Sequence, residues 1–431
     1  MALRQALAAG QVTAEAVTDH YLARIRQFDG ALNAFNDVDE ERARAAAGES
    51  AARYAAEAPR PLEGVPVAVK ANIAVAGLPH HAGIGAYRNR IAGRDAEVVA
   101  RLRAAGAVIL GTLNSHEAAL GATTDNPHFG RTQNPHRTGH TPGGSSGGSG
   151  AAVAAGLCAA ALGTDTLGSI RIPAALCGVF GLKPTNGLVP DDGLILLKGE
   201  WDCIGPLARS VADLAAIQAA LAPLQPARAV RRVAILSSSR QVASDPAVER
   251  AFGLSRRLLE GLGIAVAERL TEIDHHRVRL AGFVEAACAA QTAFGADMEC
   301  MPEGFSDSFR ASLGFAANFR PEARAEGRRA LALAGAALRA VLQVDDAILL
   351  PTTPQPAFPF ASEAPVSQAD FTALANIAGL PALSLPAGWS RDGLPVAVQL
   401  VGRAGEEATL IELAAALDGA LNAWRPPADF A

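Results

Sequence analysis

Hydrophobic residues recur every three or four positions through the first part of the chain, while Arg, Glu and Asp fill most of the positions between them. This spacing is typical of amphipathic helices that bury one face. It predicts helices over residues 2–9, 13–28 and 39–57. Together these helices would make residues 1–60 a helical collar.

From residue 61 the pattern changes to short apolar runs that end at Gly or Pro and alternate with helical stretches. This alternation predicts an α/β fold in which one large mixed β-sheet is covered by helices on both faces. Residues 96–105 are predicted to form a helix, whereas residues 301–328 have no clear period and could cap a pocket. The predicted strands cover residues 65–69, 107–110, 160–164, 233–236, 347–350, 382–385 and 396–401.

The composition is that of a globular protein, since half of the residues are hydrophobic and 19% are charged. The 38 basic and 43 acidic residues are mixed along the chain, which gives a net charge of −5 and no basic face for nucleic acid. The most apolar window, residues 150–163, is shorter than the roughly 20 residues that cross a bilayer. We therefore expect no direct nucleic-acid partner and no membrane segment.

Five cysteines are scattered along the chain without the paired spacing of a zinc site. This pattern predicts a reducing cytoplasm and no structural metal. Residues 1–13 contain charged and polar breaks, whereas a secretory signal needs an unbroken apolar stretch. We interpret them as the first helix of the fold.

Residues 141–150 read Thr-Pro-Gly-Gly-Ser-Ser-Gly-Gly-Ser-Gly and stand just before an Ala-rich stretch. So many glycines predict a sharp turn that passes close to another group. A phosphate cradle is disfavoured, because neither the P-loop motif nor the glycine pattern of dinucleotide binding is present. A glycine-rich turn with solvent-exposed serines is the plain alternative.

Two other segments accompany this loop and carry a resemblance. Gly64-Val-Pro-Val-Ala-Val-Lys70 precedes it, and Gly163-Thr-Asp-Thr-Leu-Gly-Ser-Ile-Arg-Ile-Pro follows it. In this order and at this spacing the three segments resemble the amidase signature family. The resemblance extends from about the first helix to residue 415. It is also carried by residues 125–130, 181–185, 202–209, 351–354 and 379–386.

The resemblance implies a single amidase domain over residues 1–431. Residues 61–215 would form its catalytic core, and residues 230–425 would form a variable half that shapes the substrate pocket. The family's fold, a large mixed sheet covered by helices, agrees with the alternation of strands and helices in the sequence.

The resemblance also implies a triad of two serines and a lysine. Ser169 would attack the carbonyl carbon of an amide, Ser145 would carry the proton, and Lys70 would accept it. In the family the bridging serine follows a cis peptide bond, which here would join Gly144 to Ser145. A lysine accepts a proton only when it is neutral, so Lys70 must be buried enough to lower its pKa. A surface lysine at the end of a strand is the plain alternative.

The turn that carries Ser169 would also supply the oxyanion hole. Asp165 is expected to fix this turn through hydrogen bonds. Arg171 either ties down the loop or grips a substrate carboxylate, and the first role is favoured. Ser146 is expected to orient Ser145 by a hydrogen bond. The candidate oxyanion donors are the backbone N–H groups of Thr166, Leu167, Gly168 and Ser169.

Two positions depart from the family's usual residues. Leu167 stands where many related enzymes have glycine, and we expect a negative φ there because leucine disfavours the left-handed region. Its side chain would either narrow the acyl pocket or pack behind the loop and stiffen it. His80 and His81 stand where small polar residues are usual. A solvated loop is expected there, and contact with the substrate is the alternative.

The implied function is an amidohydrolase that cleaves the C–N bond of a small-molecule carboxamide or urea-like compound through an acyl-enzyme on Ser169, and releases ammonia or an amine without a cofactor. The glutaminase subunit of a tRNA-dependent amidotransferase is the alternative, and Ile172 argues against it because that subfamily usually has Gln there. A binding protein without turnover is disfavoured, because the lysine and both serines are present. A homodimer is left open. The acyl group and the amine would be selected by variable loops that include residues 301–328 and 355–370.

Overall fold

One mixed β-sheet joins strands from the beginning, the middle and the end of the chain. The computed structural model describes residues 2–430. The strands in that range are β1 (Phe35–Val38), β2 (Pro66–Lys70), β3 (Val108–Leu113), β4 (Asp125–Asn126), β5 (Gly130–Arg131), β6 (Ala160–Asp165), β7 (Phe180–Lys183), β8 (Cys203–Ala208), β9 (Arg232–Leu236), β10 (Ala265–Arg269), β11 (Ala347–Pro351), β12 (Ala382–Trp389) and β13 (Pro395–Gly402). Eleven of them pair in the order β1, β3, β2, β6, β8, β7, β12, β13, β11, β9, β10, and β4 pairs with β5 in a separate ribbon.

Helices cover this sheet on both sides. They are α1 (Ala2–Ala8), α2 (Ala14–Leu32), α3 (Glu40–Ala55), α4 (Glu97–Ala104), α5 (Gly147–Ala154), α6 (Arg171–Cys177), α7 (Val211–Leu221), α8 (Pro246–Gly261), α9 (His275–Cys300), α10 (Asp307–Ala317), α11 (Pro321–Val344), α12 (Ala373–Ala378) and α13 (Glu407–Leu421). Within residues 2–430, none of the helices combines the length and the apolar character that crossing a membrane requires.

Side-chain caps and a glycine fix the ends of several helices. Thr13 accepts a hydrogen bond from Ala16 N at the start of α2, and Asp274 accepts one from Arg277 N at the start of α9. Such caps satisfy N–H groups that the first helical turn leaves without an intrahelical partner. After α6, Gly178 has a φ of 68°, a conformation that glycine adopts without strain. The local sequence thus sets where these helices begin and end.

Alternate residues of the central strands pack on opposite faces of the sheet. In β2, Val67 and Val69 belong to a core shared with α4, α7, α8 and α13, whereas Ala68 belongs to a core shared with α2, α3 and α5. A strand buried on both faces gives this pattern. The predicted α/β fold, with a large mixed sheet covered by helices on both faces, is confirmed.

The parallel strands β2, β3 and β6 bring distant parts of the chain to one edge of the sheet. Strand β2 pairs with β3 on one side and with β6 on the other, in both cases in parallel. The carboxyl ends of parallel strands lie at the same edge, where α/β proteins commonly place their sites. Lys70, at the end of β2, and Asp165, at the end of β6, therefore share that edge.

Two predictions of secondary structure are wrong. Residues 1–60 are not wholly helical, because β1 lies between α2 and α3 and pairs antiparallel with β3. Four residues are too few for β1 to show a clear alternation. Residues 301–328 are not irregular: they contain the short turn Pro302–Gly304, all of α10 and the start of α11. Ser306 caps α10, which is a signal that the sequence does contain.

Strand β8 has no counterpart among the predicted strands, because Gly205 and Pro206 interrupt its apolar run. It pairs with β6 along its whole length but with β7 only at Leu207 and Ala208. Pro206, which has no N–H to donate, lies beyond the stretch that pairs with β7. Strand β8 can therefore contain a proline, because strand β7 does not pair with it at this position. The local sequence alone does not indicate this strand.

Candidate active site

Lys70 ends strand β2 and is completely buried, which excludes the alternative of a surface lysine. Its Nζ lies 2.7 Å from Ser145 Oγ and 2.7 Å from Thr164 Oγ1. Burial lowers the pKa of Lys70 from 10.5 to about 7, although the nearby carboxylates of Asp202 and Asp165 oppose this effect. A large fraction of Lys70 is therefore neutral near pH 7, as a proton acceptor must be.

The glycine-rich loop carries Ser145 into the interior of the protein. The peptide bond between Gly144 and Ser145 is cis, in agreement with the resemblance. A Cβ atom at Gly144 would lie 2.6 Å from Thr123 N, and one at Gly148 would lie 2.5 Å from Asn114 O, so both positions require glycine. Ser145 is fully buried, which excludes a turn with solvent-exposed serines.

Asp165 holds the turn that follows β6. Its carboxylate accepts hydrogen bonds from the N–H groups of Gly168 at 2.7 Å and Ile170 at 3.1 Å, and from Arg171 Nε and Nη2 at 3.0 Å. Burial by itself would raise the pKa of Asp165, but the charge and the hydrogen bonds of Arg171 lower the pKa to about 2. Asp165 therefore stays ionised and bonded, which suits a residue that fixes the turn.

Arg171 belongs to the same buried network, and its side chain has no exposed surface. Besides the contacts with Asp165, its Nη1 donates to Gln399 Oε1 at 2.8 Å and its Nη2 donates to Asn376 Oδ1 at 2.6 Å. Arg171 does not line the cavity beside Ser169. This geometry favours support of the loop over contact with a substrate carboxylate.

Ser169 is partly exposed and lines a cavity, as a nucleophile must be to meet a substrate. The turn before it differs from the prediction at one position. The N–H group of Gly168 donates to Asp165 and is not free to bind an oxyanion. This contact removes Gly168 from the set of oxyanion donors and leaves the N–H groups of Thr166, Leu167 and Ser169 as candidates.

Leu167 has a negative φ, as predicted. Its backbone oxygen accepts a hydrogen bond from Thr372 Oγ1 at 2.7 Å. Its side chain lines the cavity and also packs against α9, because a Cβ atom at Gly282 would lie only 3.1 Å from Leu167 Cδ2. The two expected roles, pocket wall and loop support, are therefore combined in one side chain.

Ser146 does not contact Ser145 through its hydroxyl, which corrects the expectation that it orients that residue. Its Oγ donates to the backbone oxygen of Thr164 and accepts from the backbone N–H of Thr164, both at 3.2 Å. Ser149 behaves in a similar way, since its Oγ donates to Leu162 O at 3.0 Å. Both serines fasten the glycine-rich loop to strand β6.

The histidine pair is not a solvated loop, which corrects another expectation. His81 is fully buried, stacks on Phe129 with ring centres 4.0 Å apart, and accepts a hydrogen bond from Gly83 N. Burial lowers its pKa to about 4. His80 contacts the backbone oxygen of Asn72 at 3.0 Å. Neither histidine lines the cavity, so contact with the substrate is not supported either.

Sequence reasoning missed three side chains around Lys70. Thr164 Oγ1 accepts a hydrogen bond from Asn72 Nδ2 at 3.1 Å in addition to its contact with Lys70. Asp202, whose charge acts on Lys70, accepts a hydrogen bond from Thr166 Oγ1 at 2.5 Å. All three lie in or beside the segments that carry the resemblance, but only the fold shows which side chains they meet.

A cavity of about 590 Å³ opens beside Ser169. Phe315, which belongs to residues 301–328, lines it, and so do Val366 and Gln368, which belong to residues 355–370. Both stretches that were expected to select the acyl group therefore contribute to its wall.

Comparison with known proteins gives similarities over nearly the whole chain. The family model described as Amidase matches residues 16–411. A glutamyl-tRNA(Gln) amidotransferase subunit of Thermus thermophilus is 36% identical, with 97% of this chain and 96% of that protein covered. A solved inhibitor-bound vestigial complex, described as revealing the origins of an s-triazine catabolic enzyme, has a TM-score of 0.90 and 31% identity over 98% of both chains. The peptide amidase of Stenotrophomonas maltophilia has a TM-score of 0.83 and 30% identity, covering 99% of this chain and 97% of that one.

Removal of the guanidinium of Arg171 should destabilise the fold strongly. Arg171→Met leaves the carboxylate of Asp165 buried without its main partner, and breaking such a pair typically costs about 3–5 kcal/mol. Arg94→Met is a control, because Arg94 and Asp192 form an exposed pair at 3.1 Å and such pairs contribute about 0–1 kcal/mol. The free energy of unfolding in urea checks this prediction. Equal losses in the two variants would contradict the role of Arg171.

Proposed function

The chain belongs to the amidase signature family, and from this premise we propose that it hydrolyses the C–N bond of a small-molecule carboxamide through an acyl-enzyme on Ser169. Its relatives include a peptide amidase and an amidotransferase subunit, which supports an enzyme that acts on C–N bonds. The observation that carries the proposal is the buried contact of 2.7 Å between Lys70 Nζ and Ser145 Oγ. It gives a serine hydroxyl a base whose pKa is about 7.

The first half of the reaction forms the acyl-enzyme. Neutral Lys70 accepts the proton of Ser145, Ser145 accepts the proton of Ser169, and Ser169 Oγ bonds to the carbonyl carbon of the amide. Lys70 Nζ lies 2.7 Å from both Ser145 Oγ and Thr164 Oγ1, so a neutral amine at this position can donate to Thr164 while it accepts the proton of Ser145. Collapse of the tetrahedral intermediate breaks the C–N bond, and the leaving nitrogen takes a proton from Ser145. Lys70 returns its proton to Ser145 and is neutral again. The product of this step is ammonia or an amine.

The second half returns the enzyme to its starting state. Water attacks the ester carbon and gives up a proton through Ser145 to Lys70. The bond to Ser169 Oγ then breaks, the same groups return the proton to this oxygen, and the carboxylic acid leaves. The oxyanion that forms in both halves needs donors with fixed positions, and the bonds from Gly168 and Ile170 to Asp165 hold the turn in place before the substrate arrives. Every step uses side chains of this chain, water and substrate.

A second candidate function is that of a glutaminase subunit in an amidotransferase. It is favoured by the 36% identity to such a subunit over nearly the full length of both proteins. Ile172 argues against it, since this side chain lines the cavity and packs with Leu176, Ala357 and Leu394 in an apolar cluster, where the subfamily usually has Gln. We therefore favour an amidase that acts without such a partner. A cytoplasmic location and a homodimer stay predictions.

Ser169 should be the residue that reacts with an electrophile aimed at serine hydrolases. A fluorophosphonate should add to Ser169 because this serine lines the cavity, whereas Ser145 is fully buried. Mass spectrometry of the digested protein checks the site of the adduct. Ser169→Ala should abolish labelling. An adduct on Ser145 in the unchanged protein would contradict the assignment.

Substitution of Lys70 should remove activity without removing the fold. Lys70→Met keeps a long apolar side chain but no base, and loss of proton transfer should lower kcat by about 10²–10⁴-fold. Lys70→Arg should be as inactive, because a guanidinium does not lose its proton. Lys198→Met, which removes a lysine paired with the exposed Glu200, serves as the control. Near-normal turnover by Lys70→Met, with circular dichroism unchanged, would exclude Lys70 as the base.

A further inference from the structure

The cavity beside Ser169 has a wall that is mostly apolar. Its volume of about 590 Å³ lies within the range of sites that enclose a small organic molecule. Burial of apolar substrate surface against such a wall is favourable, since it removes that surface from water. The largest apolar side chains on the wall are Leu120, Leu167, Ile172, Leu197, Leu280, Phe283 and Phe315.

The charged residue on this wall is already neutralised. Among the lining residues of the described chain, Arg279 is the one with a permanent charge, and no carboxylate lines the cavity. Arg279 Nε donates to Asp370 Oδ1 at 2.7 Å, and both side chains are largely buried. The other polar side chains that line the cavity beyond Ser169 are Thr166, His276 and Gln368, and none of them carries a permanent charge. The cavity therefore offers an ammonium group no carboxylate partner, and its guanidinium, which could bind a carboxylate, is already paired with Asp370.

Leu167 sets the width of the cavity next to the nucleophile. It packs on Gly282 of α9, and a glycine there lets the helix approach the turn closely. The same helix carries Leu280 and Phe283 into the wall. The apolar surface thus begins beside Ser169 and continues along α9, where the acyl group of a bound amide would lie.

We propose, on the basis of the function proposed above, that the substrate is a carboxamide with a bulky, apolar and uncharged acyl group, such as an arylacetamide or a branched aliphatic amide. Such a group fills the part of the cavity that lies between Leu167 and Phe283. Glutamine, a zwitterionic amino acid whose side chain carries the carboxamide, is rejected. Its ammonium group would lose its hydration without gaining a carboxylate partner. Both the absence of charge and the large size of the acyl group therefore determine which amide is bound.

A panel of four amides tests the proposal: phenylacetamide, isovaleramide, propionamide and L-glutamine. We expect kcat/KM for phenylacetamide to be about tenfold or more above kcat/KM for propionamide. The difference between phenylacetamide and glutamine should be larger still. Preference for glutamine would overturn the inference while leaving the proposed function in place. Failure to cleave any amide would overturn the proposed function. In that case, calorimetry with Ser169→Ala still decides the inference, which requires phenylacetamide to bind more tightly than glutamine.

A matched pair of variants tests the wall itself. Phe283 lines the cavity and lies 6.2 Å from Phe315, ring centre to ring centre, whereas Phe319 packs on Phe315 at 5.3 Å and does not line the cavity. Phe283→Ala should lower the ratio of kcat/KM for phenylacetamide to that for propionamide about tenfold. Phe319→Ala should leave this ratio unchanged. Equal ratios in both variants would overturn the assignment of the apolar wall.

Discussion

The rest of the site depends on the burial of one lysine. Lys70 has no exposed surface, and the loss of water around its ammonium group lowers its pKa to about 7. Such burial is costly unless the group has partners, and the hydroxyl groups of Ser145 and Thr164 supply them at 2.7 Å. The parallel pairing of β2 with β6 and the glycine-rich loop between them both serve to bring these groups together.

The charges near Lys70 are balanced against its burial. Asp202 and Asp165 favour the protonated lysine, and burial outweighs them. Asp165 is held by Arg171, whose positive charge keeps that carboxylate ionised and bonded to the turn that carries Ser169. One ion pair thus positions Ser169, the proposed nucleophile, and also occupies a carboxylate whose charge acts on Lys70, the proposed base. The structure of the turn and the protonation of the lysine are therefore coupled.

Apolar runs that alternate with helical stretches are local signals, so they predict the fold class, whereas the three segments of the site are implied by the resemblance to the amidase signature family. The sequence does not reveal the partners of Arg171, since Asn376 in α12 and Gln399 in β13 lie 205 and 228 residues away and only the complete fold brings them near. Gly168 fails as an oxyanion donor for a local reason, because its N–H donates to the carboxylate of Asp165, three residues earlier in the same turn. The local sequence pattern predicts where a turn lies. The three-dimensional contacts determine which of the backbone N–H groups in that turn remain available to bind an oxyanion.

The pH dependence of kcat/KM for one well-used amide tests the central claim most directly. Lys70 accepts a proton only in its neutral form, so protonation below its pKa removes active enzyme and deprotonation above it adds no more. The account predicts a rate that rises about tenfold per pH unit in acid, bends near pH 7 and then levels off. A rate that is flat from about pH 5 to about pH 9, with chemistry limiting, or one that rises with the ordinary lysine pKa of 10.5, would contradict it.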